Sequence, residues 1–178
     1  IGVRTNNSKN GCRNIHEQRG RFGNYIYNSS SCDLFLKMKK RLLLIDDNDE
    51  WCQFAESALK QAGFEVVAPN NISEFCSLRN LRRHLLDFDL IIIDAILEKD
   101  SAIDILYKIK EVGIVENFNY AHSTISVSAR LDIPTVVEYM KMGIQNITPK
   151  PYELQTLLSI VRKALLEAEH ANHTSKKD

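Results

Sequence analysis

The sequence has no excess of charge of either sign. Lys plus Arg and Asp plus Glu number 23 each among 178 residues, so the formal net charge is zero. A chain that binds DNA, RNA or an anionic membrane through its overall electrostatic field needs a positive excess. We therefore expect no direct contact with nucleic acid and no electrostatic attraction to a membrane.

The cysteine patterns of zinc sites and disulfide frameworks are also missing. No C-x-x-C pair occurs, and no histidines lie nearby at metal-ligand spacing. The four cysteines are Cys12, Cys32, Cys52 and Cys76. Scattered cysteines of this kind fit a reducing compartment, so we expect a cytoplasmic protein.

Long hydrophobic runs are absent as well. The longest apolar runs, residues 42–45 and 90–93, are far shorter than the roughly 18 to 20 residues needed to cross a bilayer. The hydrophobic content of 44% is nevertheless enough for a real core. We expect a soluble protein with one compact domain and an extension.

The extension is predicted at the amino-terminal end. Residues 1–37 are rich in Asn, Ser, Gly and Arg and lack sustained apolar periodicity, which predicts disorder. The chain begins with Ile1, and Met38 directly precedes the first strong apolar run, so our hypothesis is that Met38 is the native start. Residues 38–169 are predicted to form the folded domain and residues 170–178 a polar tail.

From Arg41 onward, short apolar runs alternate with longer stretches of helical period, the pattern of βα units around a parallel sheet. The predicted strands are 42–45, 64–68, 90–93, 124–128 and 144–148. The predicted helices are 51–61, 73–86, 101–112, 134–142 and 152–169. The fold class is therefore α/β, with five parallel strands and helices on both faces.

Polar residues follow the predicted strands where each strand ends. Asp46 and Asp47 close the first, Asp94 the third, Ser128 the fourth, and Lys150 follows the fifth. Ligands bind outside the carboxyl ends of the strands in an open parallel sheet, so these side chains should meet. An acidic residue at one strand end is more often a helix cap, but the set in this order indicates a site.

The chemistry of this set is consistent with phosphoryl transfer. Clustered carboxylates repel one another, and a divalent cation removes that penalty. Oxygen ligands suit Mg²⁺, which would also neutralise an incoming phosphate for attack by an Asp carboxylate. Lys150 supplies a compact cation for the phosphoryl oxygens. The Ser128 hydroxyl can donate to them only after phosphate has arrived, which is the differential contact that a switch requires.

Four motifs together resemble the receiver domains of two-component response regulators, over roughly residues 40–167. They are Leu42-Leu-Leu-Ile-Asp46-Asp47, Asp89-Leu-Ile-Ile-Ile-Asp94, Ser128-Ala129 and Lys150-Pro151. The resemblance implies a flavodoxin-like, doubly wound sheet with strand order 2-1-3-4-5. It also implies a cis bond between Lys150 and Pro151.

The resemblance assigns a role to each site residue. Asp94 would be the phosphoacceptor. Asp46, Asp47, Asp94 and the backbone carbonyl of Ile96 would hold Mg²⁺. Ser128 and Lys150 would respond to the bound phosphate.

The chain departs from the usual receiver pattern at four positions. Glu98 stands where most receivers have Pro, and Ala102 stands where Gly is usual. Ile147 replaces the aromatic residue of the fifth strand, and Pro149 precedes Lys150. These departures leave the phosphorylation chemistry intact and bear on the loop geometry and the output mechanism.

The expected function is a phosphorylation switch, not a turnover enzyme. The phosphoryl donor would be a histidine kinase or a histidine phosphotransfer protein. The output would be a protein contact, with a homodimer possible, through the face from the fourth to the fifth predicted helix. That face includes Tyr139, Met140, Met142, Ile147 and Tyr152, about half of which we assign to core packing. Because few residues follow the last helix, we expect a stand-alone receiver.

Two other functions remain open at this point. The departures at Glu98, Ala102 and Ile147 would suit a degenerate receiver that acts as a constitutive interaction or dimerisation module. Asp47-Asn48-Asp49 loosely matches the nucleophile motif of haloacid-dehalogenase phosphatases, although Trp51 stands where that motif has Thr or Val.

Overall fold

The computed structural model describes residues 21–22, 25–26, 39–116 and 118–174. The chain divides into two compact units, Ile1–Met38 and Lys39–Asp178. In the first unit, the two-residue strands Arg21–Phe22 and Tyr25–Ile26 pair antiparallel. They fall within the stretch predicted to be disordered, and the rest of that stretch lies outside the described residues. The hypothesis that Met38 is the native start stays a prediction.

The second unit is built on a parallel sheet of five strands. The strands are β1 (Arg41–Ile45), β2 (Glu65–Val67), β3 (Leu90–Asp94), β4 (Thr124–Ser128) and β5 (Asn146–Pro149). Their order across the sheet is β2-β1-β3-β4-β5, and all neighbours are parallel. The predicted flavodoxin-like fold with order 2-1-3-4-5 is confirmed.

The central strands of the sheet are buried on both faces. Every residue of β3 and β4 is buried, and so are four of the five residues of β1. Such strands are stable only when helices cover both faces of the sheet. Residues on one face of β1 and β3 share a buried cluster with residues of the helices that lie between β2 and β5 in the sequence.

Among the described residues, six α-helices connect and cover the strands. They are α1 (Asp49–Gln61), α2 (Ile72–Phe75), α3 (Leu78–His84), α4 (Ala102–Glu116), α5 (Ile133–Lys141) and α6 (Leu154–Thr174), with a short 3-10 turn at Leu85–Asp87. The fourth and fifth helices predicted from the sequence are α5 and α6. No helix in the described part of the chain is both long enough and apolar enough to cross a membrane.

The single helix predicted over residues 73–86 is wrong. The structure has α2 and α3 there, because Ser77 adopts an extended conformation and its hydroxyl accepts a hydrogen bond from the Asn80 amide. A serine in that role begins a new helix. The sequence pattern did not separate the two because the apolar period continues across the break.

Two further expectations need correction. Helix α6 continues to Thr174, past the predicted end at Glu169, so the first part of the predicted polar tail is helical. The described peptide bonds are all trans, so the cis bond predicted between Lys150 and Pro151 is wrong.

Candidate functional site

The sheet brings three of the predicted site residues into direct contact. Asp46 follows β1, Asp94 ends β3 and Lys150 follows β5, all at the carboxyl edge of the sheet. The Lys150 Nζ atom lies 2.7 Å from Asp46 Oδ2 and 2.6 Å from Asp94 Oδ2. Residues more than a hundred positions apart in sequence therefore form one ionic cluster.

Backbone amides fix the direction of the carboxylates. The Asn48 amide donates to Asp46 Oδ1 at 2.9 Å, and the Ile96 amide donates to Asp94 Oδ1 at 2.9 Å. Each of these two carboxylates thus has one oxygen on a backbone N–H and the other on Lys150. The site is held in place by its own loops.

The third carboxylate is held by the loop after β3. The amide of Glu98 donates a hydrogen bond to Oδ2 of Asp47. Proline at position 98, the usual residue in receivers by the resemblance above, has no amide hydrogen and could not make this bond. The departure at Glu98 therefore has a structural consequence at the site.

Burial and ionic contact act in opposite directions on this cluster. Burial alone would lower the pKa of Lys150, but its hydrogen bonds to Asp46 and Asp94 outweigh that effect and raise it. Burial raises the pKa of Asp46 against the opposing effect of Lys150. The ammonium group therefore keeps its charge, and it compensates only part of the negative charge around it.

The remaining negative charge suits a divalent cation. One carboxylate oxygen from each of Asp46, Asp47 and Asp94 can be chosen so that all three lie within 4.8 Å of one another. Hard oxygen donors at this spacing are the ligands that Mg²⁺ prefers. These three residues fit the predicted metal site. The carbonyl of Ile96 stays a predicted ligand, while its amide already serves Asp94.

Ser128 is buried at the same edge but is engaged elsewhere. Its hydroxyl donates to the Arg130 carbonyl at 2.9 Å and accepts from the Arg130 amide at 3.2 Å. Its backbone carbonyl accepts from the Lys150 amide at 2.8 Å. The hydroxyl can therefore donate to another acceptor only after it leaves the Arg130 carbonyl.

Trp51 also contacts the site, a role that was not predicted from the sequence. Its indole N–H donates to the Pro151 carbonyl at 3.2 Å, and the ring centre lies 5.1 Å from Lys150 Nζ. The side chain is 2% exposed. Its position in the first turn of the helix that follows the acidic pair is the signal that could have identified it.

On the face from α5 to α6, burial agrees with the expectation that about half of the five residues pack in the core. Tyr139 and Met142 are buried in the core, and Ile147 is half-buried against it. Met140 and Tyr152 are 61% and 69% exposed, so they remain available for contact with a partner.

The comparisons with known proteins agree with this geometry. The sequence model of the response regulator receiver domain matches residues 42–162. The chain belongs to this family. The receiver interpretation is therefore confirmed. Within the segment that suggested a phosphatase, Asn48 is the amino-terminal cap of α1, and its side chain accepts a hydrogen bond from the Trp51 amide at 2.8 Å.

Curated relatives of this receiver are response regulators of greater length. The DNA-binding transcriptional regulator NtrC of a Bradyrhizobium species is 28% identical over 126 residues, which is 71% of this chain and 24% of that protein. A CpxR homolog of Haemophilus influenzae is 25% identical over 125 residues, or 70% of this chain and 50% of that one. The chain thus spans about a quarter to a half of the relatives it matches.

Solved structures share the fold over most of their length. A response regulator receiver domain protein from Clostridium thermocellum is 25% identical, with a TM-score of 0.60 over 74% of this chain and 98% of the other. A response regulator from Thermotoga maritima is 23% identical, with a TM-score of 0.57 over 72% and 98%.

Proposed function

We propose that Asp94 accepts a phosphoryl group in a reaction that requires Mg²⁺, and that the phosphorylated receiver signals through protein contacts. The observation that carries this proposal is the ionic cluster at the carboxyl edge of the sheet. Lys150 contacts Asp94 at 2.6 Å, and Asp46, Asp47 and Asp94 can offer oxygens to one cation. This arrangement provides a nucleophile, a metal site and a fixed positive charge in one place.

The reaction uses Asp94 as the nucleophile. A carboxylate oxygen of Asp94 forms a bond to phosphorus, and the P–N bond of a donor phosphohistidine breaks. The donor imidazole keeps the electron pair of that bond and takes a proton from solvent. Mg²⁺, when held by Asp46, Asp47 and Asp94, would supply positive charge next to the transferring group.

The other residues act on the product. Lys150 keeps its positive charge and can move from the Asp94 carboxylate to a phosphoryl oxygen a short distance away. Ser128 can exchange its bond to Arg130 for one to the phosphoryl group. Each residue gains a contact only when phosphate is present, so the phosphate shifts the population between two conformations.

This function defines the partners. The donor would be a histidine kinase or a histidine phosphotransfer protein in the cytoplasm, and the chain would be a switch and not a turnover enzyme. The output partner, or a second copy in a homodimer, would bind the face that carries Met140 and Tyr152. The phosphoryl group adds about −1.5 to −2 charge at pH 7, and coupling energies of about 1–3 kcal/mol are typical of such switches.

The test is intact-mass analysis after incubation with acetyl phosphate and Mg²⁺. We expect one added phosphoryl group, about 80 Da, on the wild type and none on Asp94→Asn. Asp89→Asn is the matched control, because Asp89 binds Lys40 and the Arg41 amide outside the site. An adduct that persists in Asp94→Asn would assign phosphorylation to another residue. No adduct on the wild type would favour the degenerate interaction module.

A further inference from the structure

A buried tyrosine is connected to Asp94 through a single peptide group. The Tyr139 hydroxyl donates to the carbonyl of Ala95 at 3.1 Å. The nitrogen of that same peptide belongs to Ile96, and its N–H donates to Asp94 Oδ1 at 2.9 Å. The series Tyr139, peptide, Asp94 is therefore continuous, with a hydrogen bond at each end of the peptide.

Tyr139 is well suited to donate this bond. Its side chain is fully buried, with 0% exposure, so water does not compete for the hydroxyl. Burial raises the pKa of Tyr139 to about 12, and the phenol therefore keeps its proton at neutral pH. The hydroxyl reaches the peptide from helix α5, on the side of the sheet where Met142 and Ile144 share its cluster.

The two hydrogen bonds depend on each other. A peptide group is planar, so a rotation of its carbonyl moves its N–H by the same angle. Hydrogen bonds in series also polarise one another, and an ionised carboxylate is a strong acceptor. Formation of an acyl phosphate removes the carboxylate charge, which weakens the Ile96 bond and, through the peptide, the bond from Tyr139.

The helix that carries Tyr139 also carries exposed apolar residues. Ile133, Val137 and Met140 of α5 are 80%, 42% and 61% exposed. The Tyr139 hydroxyl joins this helix to the backbone next to Asp94, through its hydrogen bond to the Ala95 carbonyl. The fifth strand has Ile147 where receivers usually have an aromatic residue, and isoleucine has no hydroxyl for such a bond.

We propose that Tyr139 is a positioning residue, which orients the Asp94 carboxylate through the Ala95–Ile96 peptide and transmits phosphorylation of Asp94 to α5. This inference rests on the proposed phosphorylation. Tyr139 in α5 takes over the coupling that the missing aromatic residue of β5 would provide.

The test follows backbone amide signals of ¹⁵N-labelled protein by NMR, with Mg²⁺ alone and with Mg²⁺ plus beryllofluoride. Tyr139→Phe keeps the ring and removes the donor. Tyr120→Phe is the matched control, because the Tyr120 hydroxyl donates to Met142 at the end of the same helix, at 2.7 Å, without a link to Asp94. Circular dichroism checks that both variants fold.

In the wild type and Tyr120→Phe, beryllofluoride should shift the amide signals of Ile96 and of α5. In Tyr139→Phe, the Ile96 shift should remain and the α5 shifts should fall severalfold. Wild-type α5 shifts in Tyr139→Phe would overturn this inference alone. No shift at Ile96 in the wild type, with no bound beryllofluoride by ¹⁹F NMR, would overturn the proposed function as well.

A measurement on the wild type keeps the proposal testable if Tyr139→Phe does not fold. The ¹³Cζ signal of Tyr139 in selectively labelled protein reports the hydrogen bond of its hydroxyl. We expect that signal to move when beryllofluoride binds, and the ¹³Cζ signal of Tyr120 to stay in place. A Tyr139 signal that does not respond to bound beryllofluoride would overturn the coupling.

Discussion

The ammonium group of Lys150 lies over the indole ring of Trp51, with Nζ 5.1 Å from the ring centre. The same indole donates a hydrogen bond to the carbonyl of Pro151, so the ring is tied to the residue that follows the lysine. A cation over an aromatic face within about 6 Å is attracted by the ring quadrupole. The environment of the Trp51 ring therefore depends on the position of the Lys150 ammonium group, which contacts Asp46 and Asp94.

Trp51 fluorescence should report phosphorylation. It is the one tryptophan of the sequence, so its emission can be assigned without labelling. We expect Mg²⁺ with beryllofluoride to change the emission intensity, because Lys150 moves toward the phosphoryl mimic and away from its present partners. Asp94→Asn should abolish the response to beryllofluoride. Unchanged emission in a wild-type sample with bound beryllofluoride by ¹⁹F NMR would show that Lys150 stays where it is.

Lys150→Met should destabilise the metal-free protein strongly. The substitution keeps an apolar stem of similar length but leaves Asp46, whose side chain is 0% exposed, without its cation. Removal of one partner from a buried ion pair costs about 3–5 kcal/mol of unfolding free energy. Mg²⁺ should recover part of the loss, since it would neutralise the same carboxylates. Urea unfolding with and without Mg²⁺ measures both effects.

Lys163→Met is the control for that substitution. Lys163 is 63% exposed and pairs with Glu167 at 3.7 Å, so the same change there should alter stability by less than about 0.5 kcal/mol. If Lys150→Met were as mild as Lys163→Met, the ionic cluster at the sheet edge would contribute no net stability.

The sequence predicted the parallel sheet well because its signal is local. The strands Leu90–Asp94 and Thr124–Ser128 are buried along their whole length, and the predicted bounds of the fourth strand are those observed. The polar residues that end these strands were predictable for the same reason. In a parallel sheet the carboxyl ends meet at one edge, so strand order converts sequence positions into proximity.

The contacts that modify the site were not predictable from local patterns. Trp51 over Lys150 joins residues 99 positions apart, and the bond from Tyr139 to Ala95 spans 44 positions. Both side chains also satisfy the ordinary requirement for apolar residues in helices that pack on a sheet. Only the tertiary packing distinguishes a core aromatic residue from one whose polar atom has a specific partner.

The thiols of Cys52 and Cys76 should resist alkylation in the folded protein. Burial raises the pKa of each to about 12, from an ordinary value of 9.0. At pH 8 a thiol of that pKa is ionised in roughly one molecule in ten thousand, and the thiolate is the reactive form. Iodoacetamide followed by peptide mass spectrometry should modify these two cysteines only after denaturation. Rapid modification of native Cys76 at pH 8 would contradict the burial.

The same shift predicts how stability changes at alkaline pH. The folded-state pKa of both thiols is above the unfolded value, so the unfolded chain loses these protons first. Their contribution to stability is complete below about pH 9 and decreases as the pH rises toward 12. A Cys76→Ala variant should show a smaller decrease in urea midpoint between pH 8 and pH 10 than the wild type.

Glu98→Pro should strengthen Mg²⁺ binding. The Glu98 amide now holds Oδ2 of Asp47, and this bond has to be broken or shared before that oxygen can bind a cation. Proline removes the donor, and the net value of one such hydrogen bond, about 0.5–1.5 kcal/mol, corresponds to a roughly twofold to tenfold gain in affinity.

Glu98→Ala is the matched control, because it removes the carboxylate but retains the amide. Calorimetric Mg²⁺ titration should give an affinity order of Glu98→Pro above wild type, with Glu98→Ala near wild type. A gain in Glu98→Ala equal to that in Glu98→Pro would assign the effect to the Glu98 side chain and not to its backbone amide.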